Sequence, residues 1–252
     1  MKCKLTIAYD GTSYEGWRSQ RAEHGVAHQI ECAWQQCFAC EAQLASSSRT
    51  DSGVHARGLV AHSTWPNEKF STPQIAAQLN ARLPETIRIM EVEAVTDSFD
   101  ARFDALGKEY RYTIWNHAAM HPLLRDRAWH VPKRLDLASM REAASALIGT
   151  HDFRSFTVKR EGELGNSVRR LHRCEIVAID HEITIILEGE GFLYKMCRAI
   201  VGTLVQLGEG KISVSEIKAM LSPNEKRPCG MIAPAQGLTL WGVIYADSHE
   251  RD

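Results

Sequence analysis

The chain has 252 residues, 44% hydrophobic and 24% charged, with 30 Lys and Arg against 31 Asp and Glu and a formal net charge of −1. This is the composition of an ordinary soluble globular protein, long enough for one large domain or two of about half its length. It excludes a nucleic-acid partner held by overall charge, so any such site must come from local clusters of Lys and Arg. No apolar run approaches the ~20 residues of a membrane span, and the N-terminal MKCKLTIAYDG has no signal-peptide apolar region. Together with seven cysteines, an odd number, this makes reduced thiols in the cytoplasm the expectation.

Taken in order, Lys2–Tyr9 alternates, with Cys3, Leu5, Ile7 and Tyr9 on one face, and predicts a half-buried strand. Asp10–Gln20 is a loop with two glycines and two aromatics. Val26–Leu44 sets Ile30, Ala33, Trp34, Cys37 and Phe38 at helical spacing, which predicts a helix packed on a sheet. Cys37-Phe38-Ala39-Cys40, with His28 and Cys32 nearby, lacks a preceding strand and a second pair at zinc-ribbon spacing, so these cysteines read as core or surface thiols. Gly58–Trp65 is strand-like. Thr72-Pro73 predicts an N-cap followed by proline at the first helical position, the helix running to about Leu83. Ile87–Val95, rich in β-branched residues, is a strand.

Asp97–Phe103 crosses into a second half, with a soft boundary near Asp104–Lys108. Lys108–Asn116 predicts a strand bulky on both faces, and Leu137–Ile148 a helix. Val168–Ile179 and Ile183–Gly189 pair as a hairpin through Asp180-His181-Glu182. Phe192–Leu207 predicts a helix, Ser213–Glu216 opens another with a capping box, and Leu238–Ala246 is a closing strand. The fold class is therefore α+β, in two similar halves, 1–105 and 106–252, with one continuous or abutting sheet.

The stretch that fits neither helix nor strand is Ser46–His62, and within it Arg49-Thr50-Asp51-Ser52-Gly53-Val54-His55. One reading is an ordinary turn, with Asp51 accepting backbone N–H bonds and Arg49 in solvent. The other is a carboxylate beside a cation, aimed from a loop into a cleft. Tyr110 and Tyr112 read either as core tyrosines or as an aromatic platform. Arg198, among Met196, Ile200 and Val201 on an apolar helix, needs an acidic partner, and Asp51 is a candidate. Arg169, Arg170 and Arg173, then Lys159 and Arg160, then Arg18 and Arg21 are local basic clusters, which are either solvated surface or a track for a phosphate backbone.

The Arg49–His55 run resembles the signature of the tRNA pseudouridine synthase A family, whose usual form is Gly-Arg-Thr-Asp-Ala-Gly-Val-His. The resemblance extends in order through Ala8-Tyr9-Asp10-Gly11 with Gly16-Trp17, Phe99-Asp100-Ala101-Arg102-Phe103 and Tyr110-Arg111-Tyr112. It continues through Gly149-Thr150-His151-Asp152-Phe153 and Gly191–Gly202. It implies two RNA-recognition-motif-like halves forming a mixed, largely antiparallel sheet flanked by helices, with a central cleft. It also implies isomerisation of uridine to pseudouridine at positions 38, 39 and 40 of the tRNA anticodon arm, by a homodimer without cofactor or metal. By the same resemblance Asp51 is the catalytic aspartate, Tyr110 stacks on the target base, Arg49 holds the RNA open and Arg198 is the basic partner of Asp51. His55, Arg57, Gly58 and Arg102 carry over as RNA or substrate contacts. Ser48 and Ser52 replace the family's Gly and Ala, while Leu59, Arg18 and Ala27 stand where Gln is usual, departures expected on the RNA-facing surface. Two rival readings are a glycosidase-like hydrolase pairing Asp51 with Asp100 or Asp104, and a non-catalytic RNA-binding protein that keeps the fold.

Overall fold

Alternation at the N-terminus becomes strand β1 (Lys2–Tyr9), whose Cys3, Leu5, Ile7 and Tyr9 are buried while the intervening residues are half-exposed. The computed structural model describes residues 1–158, 165–222 and 230–246. It divides the chain into two compact units, one of Met1–Leu106 joined by the segment from Thr239 onward, the other of Gly107–Leu238.

In the first unit, helix α1 (Val26–Phe38) buries Val26, Ala27, Ile30, Ala33 and Trp34. It stops at Phe38 rather than Leu44 because Ala39 turns left-handed (φ 53°). The chain then peels away to form the short β2 (Ala45–Ser46), paired antiparallel with β3 (His55–Thr64). β3 starts three residues before the stretch whose composition reads as strand. Helix α2 (Thr72–Asn80) is capped by Ser71, one residue earlier than the Thr-Pro pair implies, through a Ser71–Gln74 capping box. β4 (Ile87–Val95) completes an antiparallel ribbon in which β1 lies between β3 and β4.

The second unit opens with β5 (Gly107–Trp115), joined by the two-residue β6 (Trp129–His130). Helix α3 (Leu137–Ala146) is capped by Asp136, which accepts the N–H of Ala138 and Ser139 at 3.0 and 3.2 Å. β7 (Gly149–Asp152), β8 (Val168–Ile179) and β9 (Glu182–Gly189) follow, and β5, β9, β8 and β7 lie side by side, each pair antiparallel. The expected β8–β9 hairpin turns on Asp180 (φ 52°). Helix α4 (Met196–Gly208) begins four residues later than its apolar run, because Lys195 (φ 59°) takes a left-handed conformation at its N-cap. Helix α5 (Val214–Met220) has the predicted Ser213–Glu216 capping box.

The closing strand β10 (Leu238–Ile244) runs parallel to β3, with Thr239 opposite His55 and Leu240 opposite Ala56. From Thr239 on, the chain therefore belongs to the first unit, whereas the sequence assigns 106–252 to the second half. Pairing across so long a separation leaves no local pattern to read. Both units are α+β with largely antiparallel sheets, and no helix among the described residues is long and apolar enough to cross a membrane.

Candidate active site

Asp51 lies on the loop between β2 and β3, half-buried, with Arg49 exposed before it. The N–H of Val54 donates to the Asp51 carbonyl at 3.2 Å, closing a turn that Gly53 makes possible with φ 76°. A second loop, residues 10–17, holds this one in place. Trp17 N–H donates to the Thr50 carbonyl at 3.2 Å, and the Tyr14 carbonyl accepts Gly53 N–H at 3.2 Å and Ser52 Oγ at 3.3 Å. Tyr9 Oη and Thr50 Oγ1 lie 2.7 Å apart, in the interior. Burial pushes the Tyr9 hydroxyl far above its ordinary pKa, tempered by that bond to Thr50, so it acts as a neutral hydrogen-bonding group.

Contact between the two loops is backbone on backbone. A Cβ on Gly16 (φ 92°) would sit 2.4 Å from the Thr50 carbonyl oxygen, and one on Gly11 would sit 2.0 Å from the Val54 carbonyl oxygen. The second loop is itself anchored to α1, through Val26 N–H to Gly16 O at 3.1 Å and Ala27 N–H to Trp17 O at 2.9 Å. Sequence reasoning singled out the Asp51 loop but not its support. The signal was present: two glycines spaced between aromatics in a loop with no turn type of its own.

The run after the motif divides by burial. His55 is 2% exposed, with Nδ1 3.0 Å from the Gly11 nitrogen and 3.1 Å from Asp10 Oδ1, so it faces the interior and ties the supporting loop. Gly58 is buried, and a Cβ there would stand 3.1 Å from the Trp241 carbonyl oxygen. Arg57 is exposed, its guanidinium 4.5 Å above the Trp241 ring. Arg102 is exposed on the turn after β4, 5.5 Å from the Phe103 ring.

Tyr110 and Arg198 belong to the second unit. Tyr110 is 7% exposed on β5, and Phe192 meets its ring edge-on at 5.1 Å and 80°. Tyr112 is a core tyrosine: it is fully buried, its hydroxyl donates to the Pro234 carbonyl at 2.8 Å, and burial drives its pKa up against the opposing Arg198 charge. Arg198 on α4 is half-buried, and its Nε donates to the Ala233 carbonyl at 2.8 Å, while Ala233 N–H returns to the Arg198 carbonyl at 3.0 Å.

Of the basic clusters, Arg18 pairs with Glu31 and Arg21 with Glu15, at 3.0 and 2.9 Å. Arg170 faces Glu190 at 3.9 Å, Arg173 pairs with Glu175, and Arg169 donates to the Asn166 and Val168 carbonyls. Lys159 and Arg160 lie outside the described residues. Two of the three departures expected on the RNA-facing surface are interior instead: Leu59 is 0% and Ala27 1% exposed. Asp100 and Asp104, proposed acids of the hydrolase reading, are turn acceptors. Burial lifts the Asp100 carboxyl, but the Phe103 and Arg102 N–H bonds outweigh it and hold it below its usual value. Cys32 Sγ lies 3.4 Å from His28 Nε2, and the six described cysteines are free thiols. Among the described residues no three His, Cys, Asp or Glu side chains gather as a metal site.

Residues 5–104 and 143–246 match the family described as tRNA pseudouridine synthase. The chain is 41% identical over 249 residues to the tRNA pseudouridine synthase A of Bacillus pumilus, covering 97% of this chain and 99% of that one. It is 39% identical over 246 residues to tRNA pseudouridine synthase A 2 of Clostridium perfringens, covering 96% and 98%. Against tRNA pseudouridine synthase A of Acetivibrio thermocellus the identity is 41% over 246 residues, with the same coverage.

Proposed function

The chain belongs to the tRNA pseudouridine synthase family, and on that premise we propose that it isomerises uridine to pseudouridine in tRNA with Asp51 as the catalytic carboxylate. The reaction breaks the N1–C1′ bond, turns the base, joins C5 to C1′, removes the C5 proton and returns one to N1, with no net oxidation. A carboxylate beside C1′ either traps the sugar covalently, as in retaining glycosidases, or removes the 2′ proton. Both routes use the same side chain.

The observation that carries this reading is the lock on the Asp51 loop. A solvated surface turn has no need of a second loop bonded to it at Thr50, Ser52 and Gly53, with two glycines admitting backbone contact. A side chain that must meet one atom of its substrate does need it, because small misplacements are costly in rate. The remaining roles follow from the resemblance. Tyr110 stacks on the flipped base, Arg49 holds the opened RNA, Arg198 partners the Asp51 carboxylate, and Arg57 and Arg102 contact RNA from the surface. His55 and Gly58 contribute as supports for those groups. The substrate is the anticodon arm at positions 38, 39 and 40, the active species is a homodimer, and the compartment is the cytoplasm, where free thiols persist.

The test is pseudouridine mapping on an unmodified tRNA transcript incubated with wild type and with Asp51→Asn. Pseudouridine at 38–40 from the wild type alone, with tRNA still bound by the variant, is the expected result. Turnover by Asp51→Asn near the wild-type rate would remove Asp51 from the chemistry. Pseudouridine elsewhere in the tRNA would keep the reaction and overturn the target site.

A further inference from the structure

The turn that follows β4 presents two exposed side chains on a buried footing. Phe103 is 79% exposed with the Arg102 guanidinium 5.5 Å from its ring, whereas Ala101, one residue earlier, is fully buried. Inside the turn, Asp100 Oδ1 accepts the N–H of Arg102 and Phe103 at 2.8 and 3.0 Å, and Asp104 Oδ2 accepts that of Asp100 at 3.0 Å. The outer surface is thus a cation beside an aromatic face, and the nearby carboxylates are engaged by backbone N–H groups.

Two side chains grip Ala101 from within the unit. Its N–H donates to His62 Nδ1 at 3.0 Å, and its carbonyl accepts the Tyr245 hydroxyl at 2.6 Å. His62 lies on β3 at 7% exposure, with Phe99 edge-on to its ring at 5.9 Å. Phe99 in turn packs against Tyr245, and Lys2 Nζ donates to its carbonyl at 2.8 Å. Receiving the Ala101 N–H requires an unprotonated Nδ1. Burial first, then Lys2, lowers the imidazole pKa against the opposing pull of Asp100 and Asp104; Lys4, opposite His62 on β1, is engaged by Glu93 at 2.8 Å and lies over the Tyr245 ring.

We propose that His62 is a positioning residue for tRNA binding, whose unprotonated Nδ1 fixes Ala101 and so aims the Arg102–Phe103 pair at a phosphate and an unstacked base of the substrate. This rests on the reading of the chain as an enzyme acting on tRNA. Guanidinium and ring together match the two features of an opened RNA strand, a backbone charge and a base face. His62 touches neither. Protonation of Nδ1 removes the acceptor, frees the buried Ala101 N–H from its partner and lets the turn shift, so the contact weakens in acid.

The experiment compares wild type, His62→Phe and His62→Asn by direct tRNA binding from pH 7.5 to 5.5, alongside kcat and KM. At pH 7.5 His62→Phe is expected to raise Kd and KM roughly tenfold, the order of effect of stranding a buried donor. A kcat that falls as much as KM rises would overturn the proposal. Asn sets Oδ1 near the place of Nδ1 and does not titrate, so His62→Asn is expected to keep most of the affinity and to lose less of it on acidification than wild type. Wild-type affinity in His62→Phe, or equal acid slopes for wild type and His62→Asn, would overturn the proposal. If His62→Phe does not fold, the comparison of acid slopes decides alone. Wild-type protein that binds tRNA but makes no pseudouridine would defeat the catalytic reading and leave this comparison standing.

Discussion

Replacing Gly16 by alanine tests the idea that the second loop aligns Asp51. The position has φ 92°, a conformation that costs an L residue about 1–2 kcal/mol. The added Cβ would also stand 2.4 Å from the Thr50 carbonyl oxygen, short by about 1 Å of the 3.4 Å at which ordinary contact begins. That oxygen cannot withdraw alone, since it holds Trp17 N–H and precedes Asp51 directly. Strain plus one weakened backbone hydrogen bond amounts to about 2–3 kcal/mol. In a chain of this size that lowers Tm by about 4–12 °C. A carboxylate displaced by about 1 Å loses on the order of 10²-fold in rate. Single-turnover kinetics with saturating tRNA, measured well below the melting transition, reads the second effect apart from the first. Gly210→Ala is the control, because its φ is 74° but nothing lies within 4 Å of the added Cβ, so it carries strain without collision. Gly16→Ala turning over at the Gly210→Ala rate would refute the reasoning.

Other perturbations are expected to behave as follows. Ser48 Oγ is buried without a hydrogen-bond partner, so Ser48→Ala should raise Tm by a few degrees, about 1 kcal/mol; a lower Tm in calorimetry would contradict this. Gly202 in α4 would bring a Cβ to 2.3 Å from the Met231 carbonyl, so Gly202→Ala should disturb the segment that holds Arg198 through Ala233, lowering both Tm and kcat; an unchanged kcat would separate Arg198 from that support. The lowered His62 pKa means that folding favours the neutral ring. Its contribution is complete above the unfolded value of about 6.5 and is lost as pH falls from there through the folded value, so wild type should lose more Tm below pH 6.5 than His62→Asn. Tyr110→Phe keeps the ring against Phe192, so with Tyr110 as a stacking platform KM should stay unchanged; a kcat lowered by ~10²-fold, the scale of a lost general base, would add proton transfer to its role, and full activity would confine it to stacking.

Where local physics decides an element, the sequence displays it. β1 shows strict alternation, α5 a Ser–Glu capping box, and β8 and β9 are β-rich runs beside a polar turn. Errors fall where one residue's backbone overrides its side-chain pattern. Ala39 and Lys195, both left-handed, end α1 and delay α4 inside runs whose apolar spacing continues. β7 was missed because Gly149-Thr150-His151-Asp152 has neither alternation nor apolar content; its strand character comes from β8 beside it. At the site, Asp51 is legible as a motif, whereas the bonds from Trp17 and Tyr14 join residues more than thirty positions away and leave no periodic trace.

β10 has a consequence for biosynthesis. Its Thr239 and Leu240 pair with His55 and Ala56, a few residues beyond Asp51, yet they are translated only after all of 107–238. The second unit, being contiguous, can fold as it emerges, while the first must keep that stretch of β3 without its partner until ribosomes have passed the whole intervening segment. Nascent chains are thus held short of completion at the strand leading out of the Asp51 loop. A polypeptide released early would carry every residue of the motif without the strand that seals its base.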